Sequence, residues 1–250
     1  MKKPVISIIT IVYNGVDTLQ KTINSIANQS YDHIEYIIVD GASEDGTITL
    51  IEKNKRAVSK WISEPDKGLY DAMNKGLDMA TGDYVWFVNS GDEIYNTSTI
   101  AELIEGFADK TPDVIYGDTV MIDENGNEIG ERRLQPPIQL SWKDFRNGML
   151  VSHQSILVST RIAKPYNTKY RFSADFEWCL LALKEATQIY NSNLVLSRFL
   201  DGGLTKQNIV PGLKERFDIM RRYFGLIPTL WKHIPIGLRF LWYVTRNKRF

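Results

Sequence analysis

The run Asp83-Tyr84-Val85-Trp86-Phe87-Val88-Asn89-Ser90-Gly91-Asp92 decides how the rest of the chain is read. Tyr84 to Val88 are apolar or aromatic without a break, and Asn89, Ser90, Gly91 and Asp92 follow at once. A continuous apolar run of this length, closed by turn residues, reads as a strand buried on both faces. A carboxylate just past such a strand arrives at the carboxyl edge of the sheet, where open α/β sheets bind ligands. Aspartate there suits a hard cation, Mg²⁺ or Mn²⁺, beside a phosphate. It equally suits a cap for the helix that follows.

Working outward, the same grammar repeats. Val5 to Tyr13 is rich in Val, Ile and Thr and reads as a first strand that Asn14-Gly15 ends. Asp17 can cap a helix whose apolar positions are Leu19, Ile23 and Ile26. His33 to Asp40 is a second strand, and Gly41 to Gly46 a turn into a second helix. Val58 to Glu64 is a shorter strand; Gly68 to Ala80 is a helix with Met73, Leu77 and Ala80 inward. Ile100, Leu103, Ile104 and Phe107 form the stripe of another helix. Strands alternating with helices give βαβ units, hence an α/β fold with a mainly parallel sheet flanked by helices. In such a sheet Tyr13-Asn14, Asp40, Glu64-Pro65-Asp66 and Asn89 to Asp92 converge on one rim. Each has a loop explanation alone; together they favour a ligand site.

The second half is less regular. Asp113 to Ile122 and Glu128 to Arg132 are expected to pair around Asn125-Gly126. Leu150 to Ser159 reads as a strand carrying His153-Gln154. Asp175 to Ala186 reads as a helix with Phe176, Cys179, Leu180 and Leu183 inward, Gln188 to Phe199 as a strand, and the chain from Asn208 as helical.

Composition narrows the function classes. The 250 residues are 43% hydrophobic and 24% charged, which is globular. Net charge is zero, against a generic nucleic-acid binder. The single Cys179 cannot form an internal disulfide and fits a reducing cytosol. Lys2 and Lys3 precede an apolar run, but Tyr13-Asn14-Gly15 breaks it with no small-residue cleavage site, so a first strand is expected rather than a signal peptide. No apolar stretch is long enough to span a bilayer. After Asp218 there is no acidic residue, and Arg221, Arg222, Lys232, Arg239, Arg246, Lys248 and Arg249 interleave with Phe224, Trp231, Phe240, Leu241, Trp242 and Tyr243. Residues 219–250 therefore suit an interfacial helix on an anionic membrane, or a helix packed on the domain or a partner subunit.

Two stretches carry the densest polar chemistry. Asp40-Gly41-Ala42-Ser43-Glu44-Asp45-Gly46-Thr47 is neither a dinucleotide fingerprint nor a P-loop. An Asp at a strand end can accept hydrogen bonds from a base or ribose, or cap the next helix. Ser63 to Gly76 places Asp66 and Lys67 in a loop and Asn74 and Lys75 on a helix, where a lysine can meet a diphosphate or simply face solvent.

Taken in order, Ser7 to Asn14, Ile38 to Thr47, Asp66-Lys67-Gly68-Leu69-Tyr70-Asp71-Ala72-Met73-Asn74-Lys75-Gly76 and Asn89 to Asp92 resemble the family 2 glycosyltransferases of bacterial polysaccharide assembly, with a GT-A fold. The resemblance covers roughly residues 4 to 205. It implies that Thr10, Tyr13 and Asn14 line a nucleotide pocket, that Asp40 bonds the uracil or ribose, and that Asp66 lies on the nucleoside side of the donor. Asn74, Lys75, Asn89 and Ser90 join that donor set. Asp92 matches the last acid of the family's metal-binding Asp-x-Asp element, with Asn89 or Ser90 where the earlier acid stands. His153-Gln154 sits where the family often carries a similar pair near the sugar and diphosphate. Ser173-Ala174-Asp175-Phe176-Glu177-Trp178 is similar to the element that supplies the catalytic base, with Ala174 in place of the usual Glu. Asp175 matches the base, with Glu177 a second candidate; the alternative is that Asp175 caps its helix. Asp201-Gly202-Gly203-Leu204-Thr205 resembles the family's glycine loop, or is a plain turn.

The expectation is an inverting, metal-dependent enzyme, cytoplasmic or at the inner face of the membrane. It would move a sugar from a nucleotide sugar, a UDP-sugar by preference, to a glycan or lipid-linked acceptor. Residues 1–206 form the transferase domain (1–110 nucleotide-binding, 111–206 acceptor and catalytic) and 207–250 a helical extension. A nucleotidyltransferase is a second reading, but no glycine-rich basic loop follows the first strand. A nucleotide-binding or membrane-docking module with a decayed metal site is a third, kept open by the missing first acid and Ala174.

Overall fold

The computed structural model describes residues 3–107, 110–202 and 208–234. Among these, nine strands form one sheet in the order β3-β2-β1-β4-β8-β6-β9-β5, with β7 paired to β6. The strands are β1 (Ile6–Val12), β2 (Ile34–Asp40), β3 (Lys60–Ser63), β4 (Tyr84–Phe87), β5 (Glu93–Ile94), β6 (Val114–Ile122), β7 (Glu128–Glu131), β8 (Ile156–Ser159) and β9 (Ile189–Leu200). The helices are α1 (Val16–Ala27), α2 (Thr47–Lys53), α3 (Leu69–Met79), α4 (Thr99–Gly106), α5 (Ala174–Glu185) and α6 (Ile209–Phe224), and residues 226–234 are helical too.

The sheet is covered on both faces, which explains the unbroken apolar runs. Along β1, Ile9 and Ile11 enter one core while Ile6, Ile8 and Val12 enter the other. Along β4, Val85 and Phe87 point one way, Tyr84, Trp86 and Val88 the other. This is the period-2 alternation of a pleated strand with an apolar layer on each side. Leu19, Ile23 and Ile26 of α1, Ile51 of α2, and Ile100 and Leu103 of α4 close one face. Tyr70, Ala72 and Met73 of α3 and Ala174, Phe176, Cys179, Leu180 and Leu183 of α5 close the other. Each fully buried Ile, Leu or Phe contributes about 1.5–3 kcal/mol of transfer free energy. Ile219 and Met220 of α6 belong to this second core, and Phe224 stacks on Trp142 at 5.4 Å. Residues 219–224 thus pack on the domain, because their apolar side chains meet the α5 layer before any membrane.

The parallel pairs β1·β2, β2·β3 and β1·β4 build the first half as βαβ units. Because β2 and β4 lie on opposite sides of β1, the strand order reverses between β1 and β4. A crevice opens at such a switch point, outside the carboxyl ends of the strands. The second half is joined by antiparallel β4·β8, β6·β8, β6·β7 and β5·β9 pairs and one parallel pair, β6·β9.

Two local expectations are corrected. Asp17 makes no cap; the N–H of Val16 is instead met by Asp45 Oδ2 at 3.0 Å, from the loop after β2. His153-Gln154 lie in a 3₁₀ turn (His153–Ser155) rather than in the strand, which begins at Ile156. Ser152 Oγ donates to Gln154 Oε1 at 2.5 Å, and such local side-chain bonding competes with ladder formation. Gly203, Leu204 and Thr205 of the glycine loop, and residues 235–250 of the tail, lie outside the described residues.

Candidate active site

The rim after β1 and β2 is a tied pair of loops. Ser43 Oγ donates to Asp40 Oδ1 at 2.5 Å, while Asp40 Oδ2 accepts from Ser43 N (2.9 Å) and Ser63 Oγ (2.6 Å). The N–H of Asn14 donates to Ser43 Oγ, and Asn14 Oδ1 accepts from Glu44 N. Gly15 N donates to Thr47 Oγ1 and Val16 N to Asp45 Oδ2, so two donors at the start of α1 are met by protein. Asn14 and Ala42 hold φ of 47° and 63°. Non-glycine residues in that region are strained and cluster at functional loops. Over this knot stand Tyr13, 67% exposed, and Asp66. A Cβ on Gly41 would lie 2.6 Å from Asp66 Oδ2 and 3.3 Å from the Tyr13 ring, so only glycine lets the two approach across it.

Four expected residues are turned to internal work. Thr10 is fully buried, its hydroxyl donating to the Val88 carbonyl at 2.6 Å. Asn74 exchanges two bonds with the Tyr166 backbone (3.0 and 2.6 Å). Lys75 pairs with Glu64 at 2.9 Å and donates to the Pro65 carbonyl, clamping the Asp66 loop. Ser90 bonds the Thr18 hydroxyl at 2.9 Å.

Past β4, Asp92 is buried and bridges the two halves. Its Oδ2 accepts from Gln154 Nε2 (3.1 Å) and its Oδ1 from Leu200 N (3.1 Å). Burial pushes its carboxyl up to about 7, against the pull of those bonds. Asn89 Oδ1 is buried without a partner among the described residues. His153, beside Gln154, is buried against Phe87, and its Nε2 likewise has no partner. Burial holds the His153 imidazole below its usual range, with the Asp175 charge acting the other way.

Asp175 lies in the first turn of α5 and is half-buried. It does not cap that helix in the usual sense: Ser173 is the cap residue, and Glu215 of α6 takes the N–H groups of Arg171, Phe172 and Ser173. Asp175 Oδ1 accepts from Phe176 N (2.8 Å) and from the Tyr70 hydroxyl (3.0 Å), which leaves Oδ2 without a protein donor among the described residues. Tyr70 opens α3 just after the Asp66 loop and stacks on Tyr166, which stacks on Trp178. Glu177, the second candidate, is buried and bonded to Asn167, Tyr223 and Arg222. It is a structural anchor of α5. Sequence reading placed Gln154 near the sugar and diphosphate but not on Asp92, 62 residues away, and gave Tyr70 no role, although it pairs with Asp175, 105 residues away.

The arrangement is a tied pair of loops past β1 and β2, a buried acid past β4, and an acid at the start of α5 with one oxygen free of protein donors among the described residues. A sequence model described as "Glycosyl transferase family 2" matches residues 7–171. The chain belongs to glycosyltransferase family 2. This glycosyltransferase is 32% identical over 233 residues to an uncharacterized glycosyltransferase of Mycobacterium tuberculosis, covering 89% of this chain and 87% of that one. It is 31% identical to a PGL/p-HBAD biosynthesis glycosyltransferase of Mycobacterium bovis, with the same coverage. Among solved structures it resembles Staphylococcus aureus TarS 1–349 in complex with UDP-GlcNAc (TM-score 0.70, 19% identity, 87% of this chain and 64% of that chain). It also resembles the mannosyltransferase PcManGT of Pyrobaculum calidifontis in complex with GDP-Man and Mn²⁺ (TM-score 0.65, 16% identity, 92% and 67%). The glycosyltransferase thus spans just under two thirds of the TarS chain, and the likeness establishes its GT-A fold. No helix among the described residues is long and apolar enough to cross a membrane.

Proposed function

We propose that this enzyme transfers a sugar, with inversion, from a nucleotide sugar to an acceptor hydroxyl, with Asp175 as general base. The observation that carries the reading is Asp175, whose Oδ1 is held by Tyr70 and Phe176 while Oδ2 has no protein donor among the described residues. The UDP-GlcNAc of TarS favours a UDP-sugar, with uracil and ribose over Gly41 between Tyr13 and Asp66. Asp40 then acts by holding the turn that carries this platform, and Asn14 by fixing the adjoining loop.

The residues fit a divalent cation that arrives with the nucleotide rather than a resident one. Among the described residues no three His, Cys, Asp or Glu side chains gather. Asp92 offers one carboxylate with lone pairs to spare, and Asn89 Oδ1 is a hard oxygen without a partner. Mg²⁺ or Mn²⁺ held there would offset charge on the departing diphosphate.

Asp175 Oδ2 takes the acceptor's hydroxyl proton as that oxygen bonds the anomeric carbon and the bond to the diphosphate breaks. Tyr70 fixes the carboxylate through Oδ1, so the free oxygen faces the acceptor. Asp175→Asn is expected to lower kcat by about 10²–10⁴, with donor binding unchanged by calorimetry. Full turnover in that variant would remove Asp175 from the chemistry. The acceptor is a glycan or lipid-linked hydroxyl, delivered at an anionic membrane on which helix 226–234 docks. Ile227, Leu230, Trp231 and Ile234 are exposed at the i, i+3, i+4, i+7 spacing of one helix face, in a segment without acids.

A further inference from the structure

One stripe of α6 runs along the segment that carries Asp175. Gly212, Glu215, Ile219 and Arg222 recur at helical spacing, with Asp218 and Tyr223 beside them. The Gly212 carbonyl accepts from Ser173 Oγ at 3.0 Å. Glu215 Oε1 accepts from the N–H of Arg171 (2.8 Å), and its Oε2 from those of Phe172 (2.8 Å) and Ser173 (3.0 Å). Asp218 Oδ2 accepts from the Tyr170 hydroxyl at 2.9 Å. Toward the end of α6, Tyr223 donates its hydroxyl to Glu177 Oε1 at 2.9 Å. Ile219 and Met220, between these points, are buried. The helix is thus tied to residues 170–173 on one side of Asp175 and to Glu177 on the other.

The chain enters α5 without a side-chain cap. Ser173 stands at the cap position, but its hydroxyl is turned to α6. What fixes the entry is Glu215, which is half-buried. Three consecutive N–H groups turned to one point favour an anion, and here the anion is its carboxylate. Bonds to a charged acceptor are shorter and roughly twice as strong as neutral ones. Asp175 follows Ser173 by two residues, so the backbone that carries it is held by that carboxylate. Tyr70 holds the other end, at Oδ1 of the side chain. The family model ends at residue 171, and α6 lies outside it.

We propose that Glu215 is a positioning residue for glycosyl transfer: through the 171–173 backbone it sets where α5 presents the Asp175 carboxylate to the acceptor hydroxyl. This rests on the reading of Asp175 as the base. Glu215 acts through Asp175 rather than on the substrate. Proton transfer needs the two heavy atoms within hydrogen-bond reach, and small misplacements cost large factors in rate.

E215A and E215Q in the full 250-residue chain test the assignment. Hydrogen exchange of a peptide spanning residues 170–174 is expected to be at least about tenfold faster in E215A than in wild type. UDP release from UDP-GlcNAc, with water as the acceptor, is expected to fall about tenfold or more in E215A, and less in E215Q, which keeps one acceptor oxygen. The rate is counted per UDP-binding site found by calorimetry, so unfolded protein does not register as slow enzyme, and the donor KM stays constant. D175N supplies the comparison that a merely structural role would not pass. If Glu215 acts through Asp175, adding E215A slows D175N no further. An added loss on top of D175N, wild-type turnover per site in E215A, or unchanged exchange in E215A would each overturn the positioning role. Full turnover in D175N counts against the base itself, whereas a slow D175N beside a fully active E215A strikes Glu215 alone.

Discussion

At the scale of single residues, Tyr70 is the most informative side chain after Asp175. Its hydroxyl donates to Asp175 Oδ1 and fixes the orientation of that carboxylate. Tyr70→Phe removes that donor while keeping the stacking on Tyr166. Its kcat is expected to fall about ten- to a hundredfold, a hydrogen bond to a charged group being worth roughly 1.5–3 kcal/mol, while the donor KM stays constant. An unchanged kcat would make Tyr70 a packing residue only. Asp92 was legible as a candidate because it stands at the end of an apolar run, and Asp175 only through the resemblance of Ser173 to Trp178 to the family's base element. Thr10, Asn74 and Lys75 were read as donor contacts, but the fold gives their polar atoms to Val88, Tyr166 and the Pro65 loop. Nothing in a linear sequence reveals which side-chain bonds are spent across 78 or 92 residues.

At the scale of elements, the strands that bear the rim are pinned at their other end by one acid. Glu35 on β2 accepts from Ser7 Oγ of β1 (2.6 Å), Lys60 Nζ of β3 (2.6 Å), and Thr81 N and Oγ1 before β4 (2.8 and 2.6 Å). Burial opposes its charge, but the bonds from Lys60, Ser7 and Thr81 outweigh it and hold the carboxyl down to about 2. The folded value lies below the unfolded one, so the stabilisation is present above about pH 4.5 and is lost as pH falls from there toward 2. It amounts to about 3 kcal/mol. Glu35→Gln is expected to lower the neutral-pH melting temperature and flatten the acid dependence between pH 4.5 and 2; a variant as acid-sensitive as wild type would assign that dependence elsewhere. Elements with strict periodicity, such as β1, β4 and α1, were readable to within a residue or two. The 150–159 stretch was not, because the bonds of Ser152 and Gln154 decide it, and Gln154 reaches Asp92 on another strand.

At the scale of the whole molecule, the first half could be read because βαβ alternation forces parallel pairing and one rim. The second half mixes antiparallel neighbours with the parallel β6·β9 pair, a choice set by tertiary packing that alternation does not encode. The outer face of helix 226–234 is where the molecule meets its surroundings, with Ile227 81% and Trp231 74% exposed. Vesicles containing anionic lipid are expected to co-sediment the protein, less as salt rises, with neutral vesicles binding weakly. Ile227→Glu with Trp231→Glu should release it without loss of melting temperature. Binding unaffected by those changes would place the contact elsewhere. The central claim, a nucleotide-sugar site organised around Asp92, is tested most directly by melting the protein with UDP and UDP-sugars, with and without Mn²⁺, in wild type and Asp92→Ala. A metal-dependent rise that grows with ligand concentration and shrinks in Asp92→Ala is the predicted result. No shift with any nucleotide, in protein that melts cooperatively, would contradict it.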